Sequence, residues 1–313
     1  MTVTLPEITI VTAVFNGAEY IQETIDSVLR CASGVNYEYI VVNDGSTDNT
    51  LELLEAYGTR ISIITHQNCG ESESVTRAFQ KARGCYLLVV SADDPLLTPR
   101  LFDDVFDWFN TDKNLVAVYP DWQMIDPVGN VLQTVFVPDY SDELLIGECR
   151  TLPGPGVIFR RDAALKIGGR FSKWVYVGDY DFWLRLSRVG EIRHRSEVLA
   201  QWRHHPTSTS VSKRGVDMAR ERIAVVEDFL SKNTVDQHLV RKSLGHAYYT
   251  AARLTFFSKE VPGKKYLLRA FILRKGWVEA AEFKVIAFIL LDPVSRWLIA
   301  PIRSLRVFRI RNL

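Results

Sequence analysis

Five short apolar runs spaced through the first 120 residues constrain this chain more than any other feature. They are ITIVTAV (8–14), YEYIVVN (37–43), ISIITH (61–66), YLLVVS (86–91) and LVAVY (115–119). Between them, apolar residues recur at helical spacing, as in Ile21, Ile25, Val28 and Leu29. Helices are expected after the second run, with Thr47 or Asp48 as cap and Gly58 as stop, over 72–83 closed by Gly84, and over 98–109. Strands that are almost wholly apolar belong to a parallel sheet buried under helices on both faces. The fold class expected is therefore α/β, a Rossmann-like, mostly parallel sheet.

Beyond residue 120 the pattern changes. WQMID (122–126) and VLQTVFV (131–137) read as a hairpin, 154–169 as a short strand and a short helix, and 177–190 as a helix with an aromatic face. VLAQWRHHPTSTS (198–210) reads as a strand entering a polar loop. From residue 215 strand signals stop, and helices are expected over 216–231, 234–257, 263–274 and 277–291, ending before Asp292-Pro293. The expected division is a domain over 1–212 and a helical C-terminal region over 213–313.

Acidic residues stand where strands end. Asp44 follows the second strand, Asp93 and Asp94 follow the fourth, and Asp179 opens a later helix. In open parallel sheets, ligands bind outside the carboxyl ends of the strands. Each acid also has a purely structural reading. Asp93 or Asp94 is a suitable helix cap, Asp44 sits in the turn-forming NDGSTD, and Asp179 suits a first helical turn.

Their order and spacing decide between these readings. VTAVFNGAEYIQETIDSVL, YIVVNDGSTDNT, YLLVVSADD, GPGVIFRRDAALKIGGRF, GDYDFWLRLSRVG and WRHHPTSTS follow one another over about 1–210, roughly two thirds of the chain. This succession resembles the large inverting glycosyltransferase family 2, which has the GT-A fold. The resemblance implies that Val14, Phe15 and Asn16 line a nucleotide pocket and that Asp44 hydrogen-bonds the base, typically uracil. It implies a divalent cation, Mn2+ or Mg2+, on Asp93 and Asp94, with Asp94 the direct ligand. It makes Asp179 the catalytic base, and places His205 and neighbouring Arg203 near the metal or diphosphate. Three positions depart from the family pattern. Ser91 stands for the first acid of the aspartate motif, Gly178 for the glutamate before the catalytic aspartate, and Thr76 for a common asparagine.

The chemistry asks for such a set. A departing nucleoside diphosphate is highly charged, oxygen ligands suit Mg2+ or Mn2+, and an attacking hydroxyl needs a base within hydrogen-bond reach. The expected function is sugar transfer from a nucleotide-sugar, UDP-linked, to an acceptor hydroxyl in cell-surface polysaccharide or glycolipid assembly. The alternatives are a non-catalytic nucleotide-binding assembly partner and a sugar nucleotidyltransferase. The latter would favour a basic glycine-rich loop after the first strand, where this chain has VFNGAEY.

Net charge is +1, yet residues 263–313 hold eleven Lys/Arg and three Asp/Glu, so the remainder is acidic. The tail interleaves apolar residues with five arginines after Pro293. That pattern suits a monotopic segment on an anionic inner leaflet, and its competing reading is packing on the main domain or in a dimer. Scattered cysteines without a CxxC pair and no basic leader give the expectation of a cytoplasmic protein, peripheral on the inner face of the membrane. The expected partners are a nucleotide-sugar donor and a saccharide or lipid-linked saccharide acceptor. Nothing resembles a nucleic-acid module.

Overall fold

A computed structural model describes residues 5–170, 173–205, 215–255 and 263–273. The expected helix over 277–291, the basic tail and the loop after His205 lie outside the described residues. Contacts divide the chain into two units, Met1–Tyr140 with Leu152–Ser212, and Ser141–Thr151 with Lys213–Leu313.

The first unit is built on one sheet. Its strands are β1 (Ile8–Val14), β2 (Tyr37–Asn43), β3 (Ser62–Thr65), β4 (Tyr86–Val89), β5 (Leu115–Ile125), β6 (Val131–Val135), β7 (Ile158–Arg160) and β8 (Glu191–Arg203). They lie in the order β3-β2-β1-β4-β7-β5-β6, with β8 also paired to β5. β1 is parallel to β2 and β4, and β2 to β3. The short β7 is antiparallel to both β4 and β5 and joins the two halves. Its Phe159 aligns with Leu87 and Ala117, and its Ile158 with Leu88 and Val118.

Alternation along the strands loads both faces. Ile8, Ile10, Val14, Tyr86 and Leu88 join Ile21, Ile25 and Val28 of α1 (Ile21–Cys31), Leu54 of α2 (Thr50–Glu55), and Val105 and Phe109 of α4 (Val105–Thr111) in one core. On the other face, Phe79 of α3 (Glu71–Lys81) meets Phe159 and Phe182, the latter on α6 (Gly178–Leu186). Trp183 is 8% exposed and packs edge-on against Phe159 and Phe182, a core position.

Several local expectations are revised. The expected helix over 98–109 is interrupted. A 3-10 turn at Pro99–Phe102 is capped by Thr98 Oγ1, and Asp104 takes a left-handed φ of 57° before α4 begins. LVAVY and WQMID form one strand, β5, running through Pro120. The β5–β8 register shifts there, which tolerates a residue without an N–H. Gly84 is not a helix stop, because α3 ends at Lys81 with Ala82 extended. A Cβ at Gly84 would lie 2.4 Å from Thr9 N, so the glycine permits close approach to β1. The helix after β2 starts at Thr50, and Asp48 Oδ1 accepts from Thr50 N at 3.0 Å, while the cap position is Asn49.

The second unit contains α7 (Gly215–Lys232), α8 (Gln237–Thr255) and α9 (Gly263–Leu273), with a π-helical turn at Glu143–Gly147. Lys242 on α8 binds Glu148 at 3.0 Å and Glu143 at 2.5 Å, tying that turn to the helix. No helix among the described residues is long and apolar enough to cross a membrane.

Candidate active site

The carboxyl ends of β1, β2 and β4 are adjacent through their register, with Val14 opposite Asn43 and Val11 opposite Val89. Three loops leave from this edge. Gly17 N donates to Thr50 Oγ1 at 3.0 Å, and Asn16, at φ 51°, bridges the first two loops. Its Oδ1 accepts from Thr47 N at 2.7 Å and its N donates to Ser46 Oγ at 3.0 Å. Val14 is buried, whereas Phe15 is half exposed and open to a ligand.

Asp44 is 3% exposed, and both its oxygens are engaged. Oδ1 accepts from Cys69 N at 2.8 Å and Oδ2 from Gly70 N at 2.9 Å, so the carboxylate anchors the loop that follows β3. Each oxygen keeps a second acceptor site. His66 Nδ1 stands 3.4 Å from Oδ1 and 3.6 Å from Cys69 Sγ. His66 Nε2 is buried without a hydrogen-bond partner among the described residues. Nothing in the sequence signalled His66 or Cys69, because the five-residue loop HQNCG matches no metal-ligand spacing.

Asp93 and Asp94 do not cap a helix, since Thr98 takes that role. They form a turn at the end of β4 in which Asp94 N donates to Ser91 O at 3.2 Å. Thr24 on α1 fixes the turn by donating to Ala92 O at 3.0 Å. The two carboxylates diverge. Asp94 is 5% exposed and accepts from Arg203 N at 2.7 Å. Burial, and then the adjacent Asp93 charge, hold its carboxyl well above the usual range. Asp93 is half-buried, and its Oδ2 lies 2.7 Å from His205 Nε2. His205 also packs on Tyr20, ring centroids 5.1 Å apart. Its neighbour His204 turns the other way, edge-on to Trp202, as alternation along an extended segment requires.

Asp93 Oδ2 and His205 Nε2 are the donor atoms brought together here; carboxylate oxygens suit Mn2+ or Mg2+, and a nearby cation would favour the ionised Asp94 that burial and the Asp93 charge disfavour. Asp93 is the partly exposed member of the set, whereas His205 and Asp94 are both buried, at 7% and 5% exposure. Arg203, expected beside His205 near the metal or diphosphate, has its side chain turned into the protein. Its side chain is 1% exposed, Nε donates to Asp93 O at 2.8 Å, Nη1 to Pro127 O at 2.8 Å, and Nη2 to Glu23 Oε2 at 2.7 Å. The guanidinium also lies over the Tyr20 ring at 4.9 Å. Arg203 therefore positions Asp93 and Asp94 from behind. Glu23 and Tyr20 were not anticipated, because their partners are about 180 residues away in sequence.

Asp179 occupies the first turn of α6, where its Oδ1 accepts from Tyr180 N at 2.7 Å and the side chain is exposed. The helix is fixed by Phe182 in the aromatic core and by Arg185, which pairs with Asp181 at 2.9 Å and donates to Gly169 O at 3.1 Å. An exposed carboxylate on a buried helix is available to solvent and substrate.

Residues 9–164 match the family described as Glycosyl transferase family 2. An uncharacterized glycosyltransferase of Rickettsia typhi is 31% identical over 277 residues, spanning 84% of this chain and 83% of that one. The hyaluronan synthase of Pasteurella multocida is 29% identical over 235 residues, 74% of this chain but only 24% of that enzyme. Segment 1–349 of S. aureus TarS matches at a TM-score of 0.63 and 15% identity, covering 97% of this chain and 93% of its own. A mannosyltransferase from Pyrobaculum calidifontis, solved with GDP-Man and Mn2+, matches at a TM-score of 0.57 and 14% identity, covering 97% and 88%. The fold is that of the GT-A glycosyltransferases. The chain belongs to glycosyltransferase family 2.

Proposed function

We propose that this glycosyltransferase moves a sugar, with inversion, from a UDP-sugar to an acceptor hydroxyl in polysaccharide or glycolipid assembly. The observation that carries the reading is the Asp93–His205 pair at 2.7 Å, backed by buried Asp94 and Arg203 at the end of β4. Mn2+ or Mg2+ held by Asp93, His205 and Asp94 would neutralise charge on the departing diphosphate. Val14, Phe15 and Asn16 border the nucleotide, and Asp44 offers its remaining acceptor sites to the base. Asp179 takes the proton of the acceptor hydroxyl as that oxygen bonds to the anomeric carbon and the sugar–phosphate bond breaks. A UDP-GlcNAc complex of the TarS segment, like the GDP-Man complex above, supports a nucleotide-sugar donor on this fold.

The C-terminal region from residue 213 is proposed to lie on the inner face of a membrane. On α9, Leu268, Phe271 and Ile272 are exposed alongside Lys264, Lys265 and Arg269, the composition of an interfacial helix. The deciding experiment is nucleoside diphosphate release from a panel of nucleotide-sugars, with Mn2+ and with chelator, for wild type and Asp94→Ala. Metal-dependent release from one donor, lost in the variant, supports the reading. No release from any donor, with lipid-linked saccharide acceptors present, sinks it in favour of a non-catalytic assembly partner.

A further inference from the structure

We propose that Asp44, His66 and Cys69 form a second metal site, selective for a thiophilic divalent cation such as Zn2+ and separate from the site at Asp93 and His205. Two of the three donor-atom separations already match a coordination sphere, and the third lies within 4.8 Å. A tetrahedral ion with metal–nitrogen and metal–oxygen bonds of roughly 2.0–2.2 Å and a metal–sulfur bond of about 2.3 Å separates adjacent ligand atoms by about 3.3–3.6 Å. His66 Nδ1 is 3.4 Å from Asp44 Oδ1 and 3.6 Å from Cys69 Sγ, and the three ligand atoms lie within 4.8 Å of one another.

The environment of His66 Nδ1 makes the same point chemically. Asp44 Oδ1, Cys69 Sγ and Gln67 O, the last at 2.9 Å, all crowd this one nitrogen. A single proton on Nδ1 serves one of them. A divalent cation serves the carboxylate, the sulfur and the imidazole together. Imidazole, thiolate and carboxylate are all ligands of Zn2+, and the soft thiolate, absent from the set at Asp93 and His205, is the donor that Mg2+ and Mn2+ do not favour, so sulfur is what would sort the ions.

The loop is built to hold this shape. Asp44 fixes the backbone at Cys69 and Gly70, and a Cβ on Gly45 would lie 2.6 Å from Asn68 N, so only glycine lets the loop settle there. Cys69 is exposed, which gives an ion a path from solvent. Binding exchanges the thiol proton for a sulfur–metal bond and releases that proton to solvent. Because Asp44 is the residue proposed to face the nucleobase, an ion here would compete with the donor. That consequence rests on the proposed function, while ion binding does not.

The test uses the full chain carrying Asp93→Asn, which disables the other site. Titration with Co2+ reads thiolate-to-metal absorption, and competition with a chromogenic chelator reads Zn2+ affinity. The expected result is one Zn2+ equivalent, a Co2+–thiolate band, and affinity at least tenfold weaker in both Cys69→Ser and His66→Asn. Cys85→Ser is expected to bind normally, and Zn2+ to shield Cys69 but not Cys85 from alkylation. Circular dichroism checks that each variant is folded. Absence of the thiolate band, or equal Zn2+ affinity in folded Cys69→Ser, overturns the proposal whether or not the protein transfers sugar.

Discussion

His205 Nε2 lies 2.7 Å from Asp93 Oδ2, joining the end of β8 to the turn after β4 across 112 residues of sequence. The contact brings an imidazole to the more accessible of two neighbouring carboxylates. If both hold the catalytic ion, His205→Ala removes a ligand while leaving Asp93 in place. The Mn2+ concentration for half-maximal donor hydrolysis is then expected to rise by at least about tenfold, with partial recovery of rate at saturating metal. A metal titration of nucleoside diphosphate release measures this, and an unchanged Mn2+ requirement would remove His205 from the site.

Arg203 and Glu23 form a buried–exposed ion pair whose two ends should respond differently. The guanidinium is 1% exposed and the Glu23 side chain 54% exposed. Arg203→Ala leaves the Asp93, Pro127 and Glu23 oxygens without their donor and empties a packed volume. A loss of about 3–5 kcal/mol in unfolding free energy is expected. Glu23→Gln should cost about 1 kcal/mol or less, because its charge stays largely in water. Urea denaturation of both variants separates these magnitudes, and near-equal losses would contradict Arg203's role as the buried clamp.

How much of this was legible in the sequence follows from how local each signal is. The strands and helices of the first 90 residues could be read because buried strands are apolar runs and their helices are amphipathic. The strand-end acids were visible for the same reason, since polar residues stand out where an apolar run stops. The insertion of β7 between β4 and β5 was not visible. Its three residues, Ile158–Arg160, are too few to show a period, and pairing partners 40 to 74 residues away leave no local trace. The direction in which Arg203 faces was not legible, because an arginine beside a site looks the same in sequence whether its donors face a ligand or the protein. His66 and Cys69 gave no pattern at all, and their proximity depends on the fold of one five-residue loop.

Glu38 ties three segments at the amino end of the sheet. Its Oε2 accepts from Thr9 Oγ1 at 2.8 Å and Arg83 N at 2.9 Å, and Oε1 from Arg83 Nε at 2.7 Å. Burial pushes the carboxyl up, but these hydrogen bonds and the guanidinium outweigh it and hold Glu38 below its ordinary value. A depressed folded value means the stabilisation is complete above the unfolded value of about 4.3 and is lost as pH falls through the folded one. Glu38→Gln is expected to cost roughly 1.5–3 kcal/mol at neutral pH. It should also lose less stability than wild type on acidification below about pH 4. Parallel stability–pH curves for the two proteins would show that this carboxylate is not the group responsible.

Asp179 offers the sharpest separation of binding from chemistry. Its side chain is exposed at the start of α6, while Tyr180 and Phe182 anchor the helix from within the core. Asp179→Asn keeps the size of the side chain and removes its basicity. Transfer to acceptor is expected to fall by about 10²–10⁴-fold in kcat. The KM for the donor and the Mn2+ requirement should change little, because neither depends on deprotonating the acceptor. Comparing transfer with the slow hydrolysis of donor by water sharpens the reading, since the two steps share the donor site. A variant that loses donor affinity in proportion to rate would move Asp179 from the acceptor side to the nucleotide side. Undiminished transfer would exclude it as the base and direct attention to the other carboxylate on α6, Asp181, which is paired with Arg185 at 2.9 Å.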